Sequence, residues 1–387
     1  MQQLKMKRPL DATEPGPGVE TAAPLLSIVV PTFGEKDNVG ELVRRIDLAL
    51  PRTRWEIVFV DDDSPDGTAD AVRKLSQRDP RVRCIHRIGR RGLSSACVEG
   101  ILATSAPYVA VMDADLQHDE RILPLMLLRL TEGSVDIVIG SRHVEGGSIG
   151  DWDGGRAAMS RFATGLSRLA THADLRDPMS GYFMMRRDCF MEVARGLSLI
   201  GFKILLDIFA SAPKPLKYEE IPYRFRGRVF GESKFDAAAM WDYLMLLADK
   251  TVGHLVPPRF VAFSIVGALG TLVHMAFLSL LLKGFGFGFD YSQASAAVVA
   301  MTGNFFLNNA LTYRDKRLSG TRMLLGLFTF YAACGIGAAA NVGIADWLFV
   351  SHHAWWVAGL SGVLIGAVWN YATTSVFTWR GGSTGSP

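Results

Sequence analysis

Disulfide and zinc chemistry are the first things missing. Only four cysteines, Cys84, Cys97, Cys189 and Cys334, occur in 387 residues, with no C-x-x-C pair and no histidine at metal spacing. Neither a disulfide framework nor a structural zinc is expected. Lys and Arg number 41 against 38 Asp and Glu, and no basic run is interleaved with aromatic residues, which excludes a nucleic-acid groove. Residues 1–24 contain Lys5, Lys7, Arg8 and Pro15-Gly16-Pro17-Gly18 but no apolar core of the kind a secretory signal needs. They are expected to be a disordered tail, with the domain that follows in the cytoplasm. Charge itself is scarce from Arg259 to Arg380, whereas residues before Lys250 mix charged and apolar runs. A chain longer than the roughly 100–200 residues of a single domain, split in this way, predicts one soluble and one membrane unit.

The soluble part begins with Leu25-Leu-Ser-Ile-Val-Val30, a short run without polar alternation, as expected of a strand buried on both faces of a parallel sheet. Similar runs recur at Trp55–Val60, Val82–His86, Tyr108–Met112 and Asp136–Ile139, separated by helical patterns such as Asn38–Leu50 and Leu93–Ser105. Strand and helix in alternation predict an α/β fold with an open, doubly wound, mostly parallel sheet. Glu35, Asp61-Asp62-Asp63, Asp113 with Asp115, and Arg142 each follow one of these strands. Ligands bind at the carboxyl ends of such strands, so these groups should converge on one crevice.

Past Thr251, Pro257-Pro258-Arg259 precedes four apolar stretches at about 260–282, 291–311, 324–350 and 354–378. Each approaches the ~20 residues that span hydrocarbon. The middle connection carries Arg314, Lys316, Arg317 and Arg322, Arg259 and Arg380 lie at the outer ends, and the other two connections hold only Lys283. The excess of positive charge puts both ends and the central loop in the cytoplasm. Ala237–Val252, with Met240, Trp241, Leu244, Leu247 and Ala248 on one face, reads either as an interfacial helix or as one packed in a core.

Met112-Asp-Ala-Asp-Leu-Gln117 carries the sharpest chemical signal. Asp113 and Asp115 should project to the same side, with Gln117 adding a third oxygen, a donor set suited to Mg²⁺ or Mn²⁺. Asp62 is the member of its acidic triplet expected to meet a nucleobase edge, and Glu35 could accept from ribose hydroxyls. Asp63 and Ser64 could instead cap the next helix, with Pro65-Asp66-Gly67 as a turn. Arg142, Arg156, Arg228 and Lys234 are cations able to hold phosphate.

Taken together, Val30-Pro-Thr-Phe-Gly-Glu35, Val60-Asp-Asp-Asp-Ser-Pro-Asp-Gly-Thr68, Met112-Asp-Ala-Asp-Leu-Gln-His118, Gly140-Ser-Arg-His-Val-Glu-Gly-Gly147, Asp177-Pro-Met-Ser-Gly-Tyr-Phe183 and Gly231-Glu-Ser-Lys234 resemble the family-2 glycosyltransferases of the dolichol-phosphate mannose synthase and polyprenyl-phosphate hexosyltransferase type. Two departures stand out: Phe33-Gly34 where Tyr-Asn is usual, and His118-Asp119-Glu120 where prolines are common. The resemblance implies a GT-A catalytic domain. It further implies that Pro31, Phe33, Glu35, Val60, Asp62, Asp113, Ala114, Arg228 and Lys234 contact the nucleotide-sugar donor. Asp113, Asp115 and Gln117 match the metal set, Arg142, Arg156 and Ser160 the acceptor-phosphate positions, and Asp115, Arg142 and Arg156 the groups on which catalysis turns.

The apolar half is similar to the GtrA-like four-helix domain in Arg259–Thr271 and Gly303–Asn309. Gly267, Gly270 and Gly303 should allow close helix packing there, and Asn304, Asn308, Asn341 and Asn370 should hydrogen-bond within the bundle; any of these asparagines, or Asp346, could alternatively mark a headgroup path. The expected domains are a tail at 1–24, the GT-A unit at 25–235, an interfacial helix and linker at 236–258, the membrane domain at 259–380 and a tail at 381–387. The function implied is inverting transfer of a hexose, mannose from GDP-mannose in the first instance, to polyprenyl or dolichyl phosphate at the bilayer. A UDP-glucose-dependent relative and a non-catalytic flippase or binding module are the rivals, and the oligomeric state stays open.

Overall fold

The computed structural model describes residues 23–148, 165, 167–168, 170–171, 173–227, 237–253, 255–351 and 355–379. Contacts divide the chain into two compact units, Met1–Thr164 with Ala173–Leu199 and Lys203–Glu232, and Gly165–His172 with Ile200–Phe202 and Ser233–Pro387.

In the first unit the order is β1 (Leu26–Thr32), α1 (Val39–Ala49), β2 (Trp55–Asp61), α2 (Thr68–Ser76), β3 (Val82–His86), α3 (Leu93–Leu102), β4 (Tyr108–Val111), α4 (Leu123–Thr131), β5 (Ile137–Ser141), β6 (Phe183–Arg186), α5 (Arg187–Val193), α6 (Ile204–Ser211) and β7 (Tyr218–Pro222). The strands form one sheet in the order β3-β2-β1-β4-β6-β5-β7. All neighbours pair in parallel except β6, which runs antiparallel to both β4 and β5. Alternate residues feed two separate cores: Ile28, Ile57 and Phe59 pack with Leu42 and Ile46 of α1, while Val29, Val58 and Val60 pack with Ala96 and Ile101 of α3. That is why the strands carry no polar alternation, since both faces are covered. The five strands expected from sequence are present, and β6 and β7 are additional. β6 is short and methionine-rich and passes without a break into α5, while β7 carries Glu219 and Glu220 on a half-exposed edge.

The second unit contains α7 (Ala237–Val252), α8 (Pro258–Ser279), α9 (Phe289–Leu307), α10 (Thr321–Val350) and α11 (Trp355–Phe377). Among the described residues Pro258–Gly284 and Thr321–Ala339 are long and apolar enough to cross a membrane, with mean hydropathy 2.1 and 1.4. Large apolar side chains such as Leu272, Met275, Leu324 and Phe328 point outward, as lipid-facing positions do. α7 buries Tyr243, Met245, Leu246 and Leu247 and exposes Leu244, so of the face expected from Met240, Trp241, Leu244, Leu247 and Ala248 only Leu247 is buried. Apolar residues lie all round this helix, and periodicity alone leaves its orientation open. Arg314, in the connection after α9, pairs with Asp242 of α7 at 3.2 Å.

The hairpins α8–α9 and α10–α11 carry matching residues: Phe263 and Phe330, Gly270 and Gly337, Asn304 and Asn370, Thr312 and Thr378, Tyr313 and Trp379. Their contacts match as well. Phe263 meets Tyr371 of the other hairpin at 5.8 Å, Phe330 meets Phe305 at 5.7 Å, and Tyr313 stacks on Trp379 at 4.1 Å. Each glycine faces its hairpin's asparagine so closely that a Cβ would overlap the carboxamide, the small-residue packing expected at Gly270, whereas at Gly267 and Gly303, expected to pack likewise, a Cβ would meet nothing within 4 Å. Of the asparagines singled out, Asn308 donates to the Asn304 carbonyl and accepts from Thr312. The Asn304 and Asn370 carboxamide oxygens are buried without a partner among the described residues, and the side chains of Asn341 and Asp346 lie outside the description.

α3 crosses β1 and β2 at Gly100, where a Cβ would overlap Val29 Cγ1 and lie 2.9 Å from Val60 Cγ2. Both valines are fully buried, so neither has room to give. Gly100→Ala is therefore expected to destabilise the sheet unit by about 1–3 kcal/mol, the usual cost of an overpacked core, read as a lower thermal midpoint in detergent.

Candidate active site

Thr32 of β1 lies in register with Asp61 of β2, and Val29 of β1 with Val111 of β4, so the loops after these strands leave the sheet at one edge. β5 runs parallel to β4 across the antiparallel β6, which brings Ser141-Arg142 and the Asp177–Tyr182 approach to β6 to that edge too. The predicted convergence of strand-end groups therefore follows from strand direction.

The three aspartates after β2 are all committed to holding loops. Asp61 accepts from the Thr32 hydroxyl at 3.1 Å and from the Ser64 amide and hydroxyl at 3.0 and 2.6 Å. Asp62 accepts from the Gly92 amide at 2.6 Å and from Arg87 Nη1 at 2.7 Å, while burial pushes its carboxyl up. Asp63, at φ 58°, accepts from the Gly89 amide and faces His86 Nε2, and the Gly89 amide, with His86, holds its carboxyl down. Neither Asp63 nor Ser64 caps α2. Asp66 instead accepts from the Thr68 amide and hydroxyl, and Gly67 takes the left-handed conformation before the helix.

The Ser64–Thr68 turn also receives three successive amides of the β1 loop: Gly34 to Ser64 Oγ at 2.9 Å, Glu35 to Thr68 Oγ1 at 3.0 Å and Lys36 to Asp66 Oδ2 at 3.2 Å. Glu35 accepts from Asn38 at 2.7 Å. Pro31, last but one in β1, lies in register with Val60, and the Arg91 guanidinium lies 4.2 Å over the Phe33 ring. Val60 and Ala114 point into the cores, so only their backbones are offered to a ligand.

After β4, Met112, Ala114, Asp115 and Leu116 are buried, while Asp113 and Gln117 are partly exposed. Leu116 stands at φ 63°, an uncommon conformation for a side-chain-bearing residue. Asp115 accepts from the Gln117 amide at 3.1 Å, and Gln117 Nε2 donates to the Arg226 carbonyl at 3.0 Å, which leaves the amide oxygen as the other branch. His118, absent from the sequence-based set, is buried and stacks on Tyr182 at 4.9 Å, with Tyr223 edge-on at 5.7 Å. Its Nδ1 accepts from the Asp113 amide at 3.1 Å. Burial lowers its pKa to about 4, so a neutral imidazole holds the loop at neutral pH.

Arg142 is gripped by the fully buried Asp177: Nε and Nη2 donate to the two carboxylate oxygens at 2.8 Å each, and the Arg142 amide adds a third bond at 3.0 Å. This fork ties the β5 loop to the Asp177-Pro-Met-Ser-Gly-Tyr182 segment. Gly181 in that segment is needed for close approach, since a Cβ would sit 3.1 Å from Asp113 Oδ2. Lys203 is a second cation that sequence did not single out. Its Nζ donates to the Met179 carbonyl at 3.2 Å, and burial, reinforced by the charge of Arg142, pushes it down to about 8. No local motif marks Lys203, which is brought in from the start of α6. Arg156, Ser160, Arg228 and Lys234 lie outside the described residues.

Among the described residues no three His, Cys, Asp or Glu side chains form a metal cage. Asp113 and Asp115 supply two carboxylates, which suits a hard cation that completes its shell with substrate phosphates and water rather than with protein. Among the described residues the buried Tyr223 hydroxyl has no hydrogen-bond partner, and it lies in the same charged neighbourhood as Asp113, Asp115 and Arg142, a polar group suited to facing a ligand.

Residues 27–194 match the glycosyl transferase family 2 model and residues 262–379 the GtrA/DPMS transmembrane domain. A dolichol-phosphate mannosyltransferase of Pyrococcus furiosus is 36% identical over 360 residues, 92% of this chain and 99% of that protein. One from Saccharomyces cerevisiae is 34% identical over 236 residues, 58% of this chain and 86% of that protein. Among solved structures, Mycobacterium tuberculosis glucosyl-3-phosphoglycerate synthase, in complex with Mn²⁺, UDP and glucosyl-3-phosphoglycerate, is 18% identical with a TM-score of 0.45, covering 63% of this chain and 88% of that one. With the two family segments in one chain and a relative aligned along almost its whole length, this protein belongs to the dolichol-phosphate mannosyltransferase family of glycosyltransferases.

Proposed function

We propose that this protein is a glycosyltransferase that moves mannose from GDP-mannose to dolichyl or polyprenyl phosphate, with inversion at the anomeric carbon, at the cytoplasmic face of a membrane. The observation that carries this reading is the kinship with a dolichol-phosphate mannosyltransferase along 99% of that protein, joined to the Asp113–Asp115 loop that follows β4.

The acceptor explains what the site has no need of. A phosphate monoester, with a second pKa near 6, is already mostly dianionic at neutral pH. Its oxygen can displace the nucleoside diphosphate directly, so no strong general base is required, and the bond to the departing diphosphate breaks as the sugar–phosphate bond forms. A divalent cation bound by Asp113, Asp115 and Gln117 would neutralise charge on the leaving diphosphate. Arg142, fixed by Asp177, and Lys203 contribute positive charge beside these acids, where two anionic substrates must meet. Arg156 and Ser160 on the acceptor side, and Arg228 and Lys234 on the donor side, complete the proposed set. Glu35, Phe33, Pro31 and the backbone of Val60 and Ala114 would line the nucleoside, while Asp62 would act through the Arg87–Gly92 loop that its carboxylate holds.

The membrane assignment extends to four passes over 259–380, preceded by a catalytic unit at 25–235 and a linker at 236–258. The Arg314–Asp242 pair supports a common side for the central loop and the helix that enters the bundle, which with the basic loop argues for the cytoplasm.

Membranes containing the protein, given radiolabelled GDP-mannose and polyprenyl phosphate, should put label into the lipid phase. Asp115→Ala should cut this by at least about a hundredfold, since groups that merely support a metal's ligands are already worth about 10–100-fold, and chelation should stop it until Mg²⁺ or Mn²⁺ is restored. Label from UDP-glucose alone would reassign the donor, and no label from either would favour the non-catalytic rival.

Asp177 supplies a second test. Asp177→Ala strands the Arg142 guanidinium in a buried place, a change expected to cost about 3–5 kcal/mol of stability, seen as a lower melting temperature. Arg142→Lys keeps the charge but loses the two-pronged geometry. Its expected signature is a raised KM for the lipid phosphate with a smaller change in melting.

A further inference from the structure

The aromatic cage behind the loop after β4 holds two tyrosines, and only one of them has a protein partner for its hydroxyl. Tyr182 Oη donates to the Asp119 carbonyl at 3.0 Å. Tyr223, just past β7, packs edge-on to both Tyr182 and His118, with ring centroids 5.5 and 5.7 Å apart. It is 3% exposed, and its hydroxyl has no hydrogen-bond partner among the described residues. Its cage neighbours are otherwise engaged: His118 Nδ1 accepts from the Asp113 amide, the Tyr182 hydroxyl is bound to Asp119, and Phe225, 6.3 Å away, has no polar side-chain atom. The backbone leaves Tyr223 little freedom to turn elsewhere. Its amide donates to the Ser141 carbonyl and its carbonyl accepts from the Ser148 amide, each at 3.2 Å, which pins the residue to the β5 loop. Two residues on, the Phe225 ring centroid lies 5.3 Å from the Arg142 guanidinium.

We propose that the Tyr223 hydroxyl is a hydrogen-bond donor to a substrate phosphate in the transfer site. A buried hydroxyl left unpaired costs free energy, and phenylalanine would fill the same space without that cost, as it does two residues further on at Phe225. The unpaired oxygen therefore marks a place for a ligand atom rather than for packing. Its surroundings define the chemistry of that ligand. The hydroxyl feels the charges of Arg142, Asp177, Asp113 and Asp115, the groups among which two anionic substrates are proposed to meet. Ionised phosphate oxygens accept hydrogen bonds. A phenol whose pKa burial pushes far above its ordinary value keeps its proton and donates. As a neutral group it binds an anion without adding repulsion to Arg142 and Lys203, and donors fixed in advance are what stabilise charge that moves from one phosphate to another. The inference rests on the transferase reading above and deepens it, since the donor diphosphate and the lipid phosphate both offer this chemistry.

Tyr223→Phe deletes that oxygen and nothing else. The test uses the full-length protein in detergent, with GDP plus Mn²⁺ and polyprenyl phosphate titrated separately by calorimetry, steady-state kinetics for both substrates, and a thermal melt without ligand. Tyr223→Phe should weaken at least one of the two ligands by about ten- to a hundredfold, the worth of a hydrogen bond to a charged group, and raise the KM of the matching substrate. A loss on polyprenyl phosphate assigns the hydroxyl to the acceptor, and a loss on GDP assigns it to the departing diphosphate. Without ligand the variant should melt at the wild-type temperature or above it, because no bond within the protein is lost. Tyr182→Phe gives the contrast, since its hydroxyl has a protein partner and its removal should lower the melting temperature. Both ligands bound by Tyr223→Phe as tightly as by wild type would overturn the proposal. So would a melting temperature lowered as far as in Tyr182→Phe, the mark of a hydroxyl bonded within the protein or through a buried water. If the unaltered protein binds neither GDP nor polyprenyl phosphate, the transferase reading itself falls, and this contact with it.

Discussion

Three buried side chains set the chemistry of this protein. Met112, Ala114 and Leu116 anchor the loop after β4 in the core, and Asp113, Asp115 and Gln117 are carried between and after them. The arrangement needs Leu116 in a left-handed conformation, and it needs something behind the loop to keep that conformation occupied. His118 does this from within an aromatic cage of Tyr182, Tyr223 and Phe225, accepting from the Asp113 amide while staying uncharged. An imidazolium there could not accept at Nδ1, so burial serves geometry directly. The cage is itself held by the Tyr182 hydroxyl, which donates to the Asp119 carbonyl.

The acids of the site divide by what their oxygens are doing. Asp61, Asp62, Asp63, Asp66 and Asp177 are filled by amides, hydroxyls and guanidinium groups of the protein. Their work is to fix the turns on which other residues stand, and removing one frees a loop rather than a ligand. Asp113 and Asp115 stand on the turn at Leu116, φ 63°, where Asp115 accepts from the Gln117 amide.

Much of this was readable beforehand, and what escaped did so for identifiable reasons. Buried parallel strands announce themselves as unbroken β-rich runs, so β1 to β5 and the edge at which their loops meet were accessible. β6 was hidden because Phe183-Met-Met-Arg186 runs straight into a helix without a turn signal, and β7 because its glutamates resemble a surface strip. Asp113, Asp115 and Gln117 could be proposed from spacing, since period-two alternation is local. Whether Arg142 and Asp62 face ligand or protein could not, because their partners Asp177 and Arg87 are 35 and 25 residues away. His118 and Lys203 act through tertiary contacts that no motif encodes. The expected caps Asp63 and Ser64 lost to Asp66 because the one-residue left-handed step at Gly67 shifts the start of α2.

The membrane half obeys a different constraint, since lipid supplies little apolar driving force between helices and close fit must replace it. Gly270 against Asn304 and Gly337 against Asn370 bring the backbones of each hairpin together. Between hairpins, Phe263–Tyr371 and Phe305–Phe330 repeat one contact with the partners exchanged, a pattern that follows when two similar hairpins meet about a local two-fold axis. Tyr313 and Trp379, equivalent positions, meet each other face to face, as only residues beside such an axis can. Their stack is held by Asn309, which accepts from Trp379 Nε1 and also from the Leu318 amide in the basic connection. The loop rich in arginine is thereby fastened to the point where the two hairpins join, so its charge sits at a fixed place on the bundle rather than on a free tether.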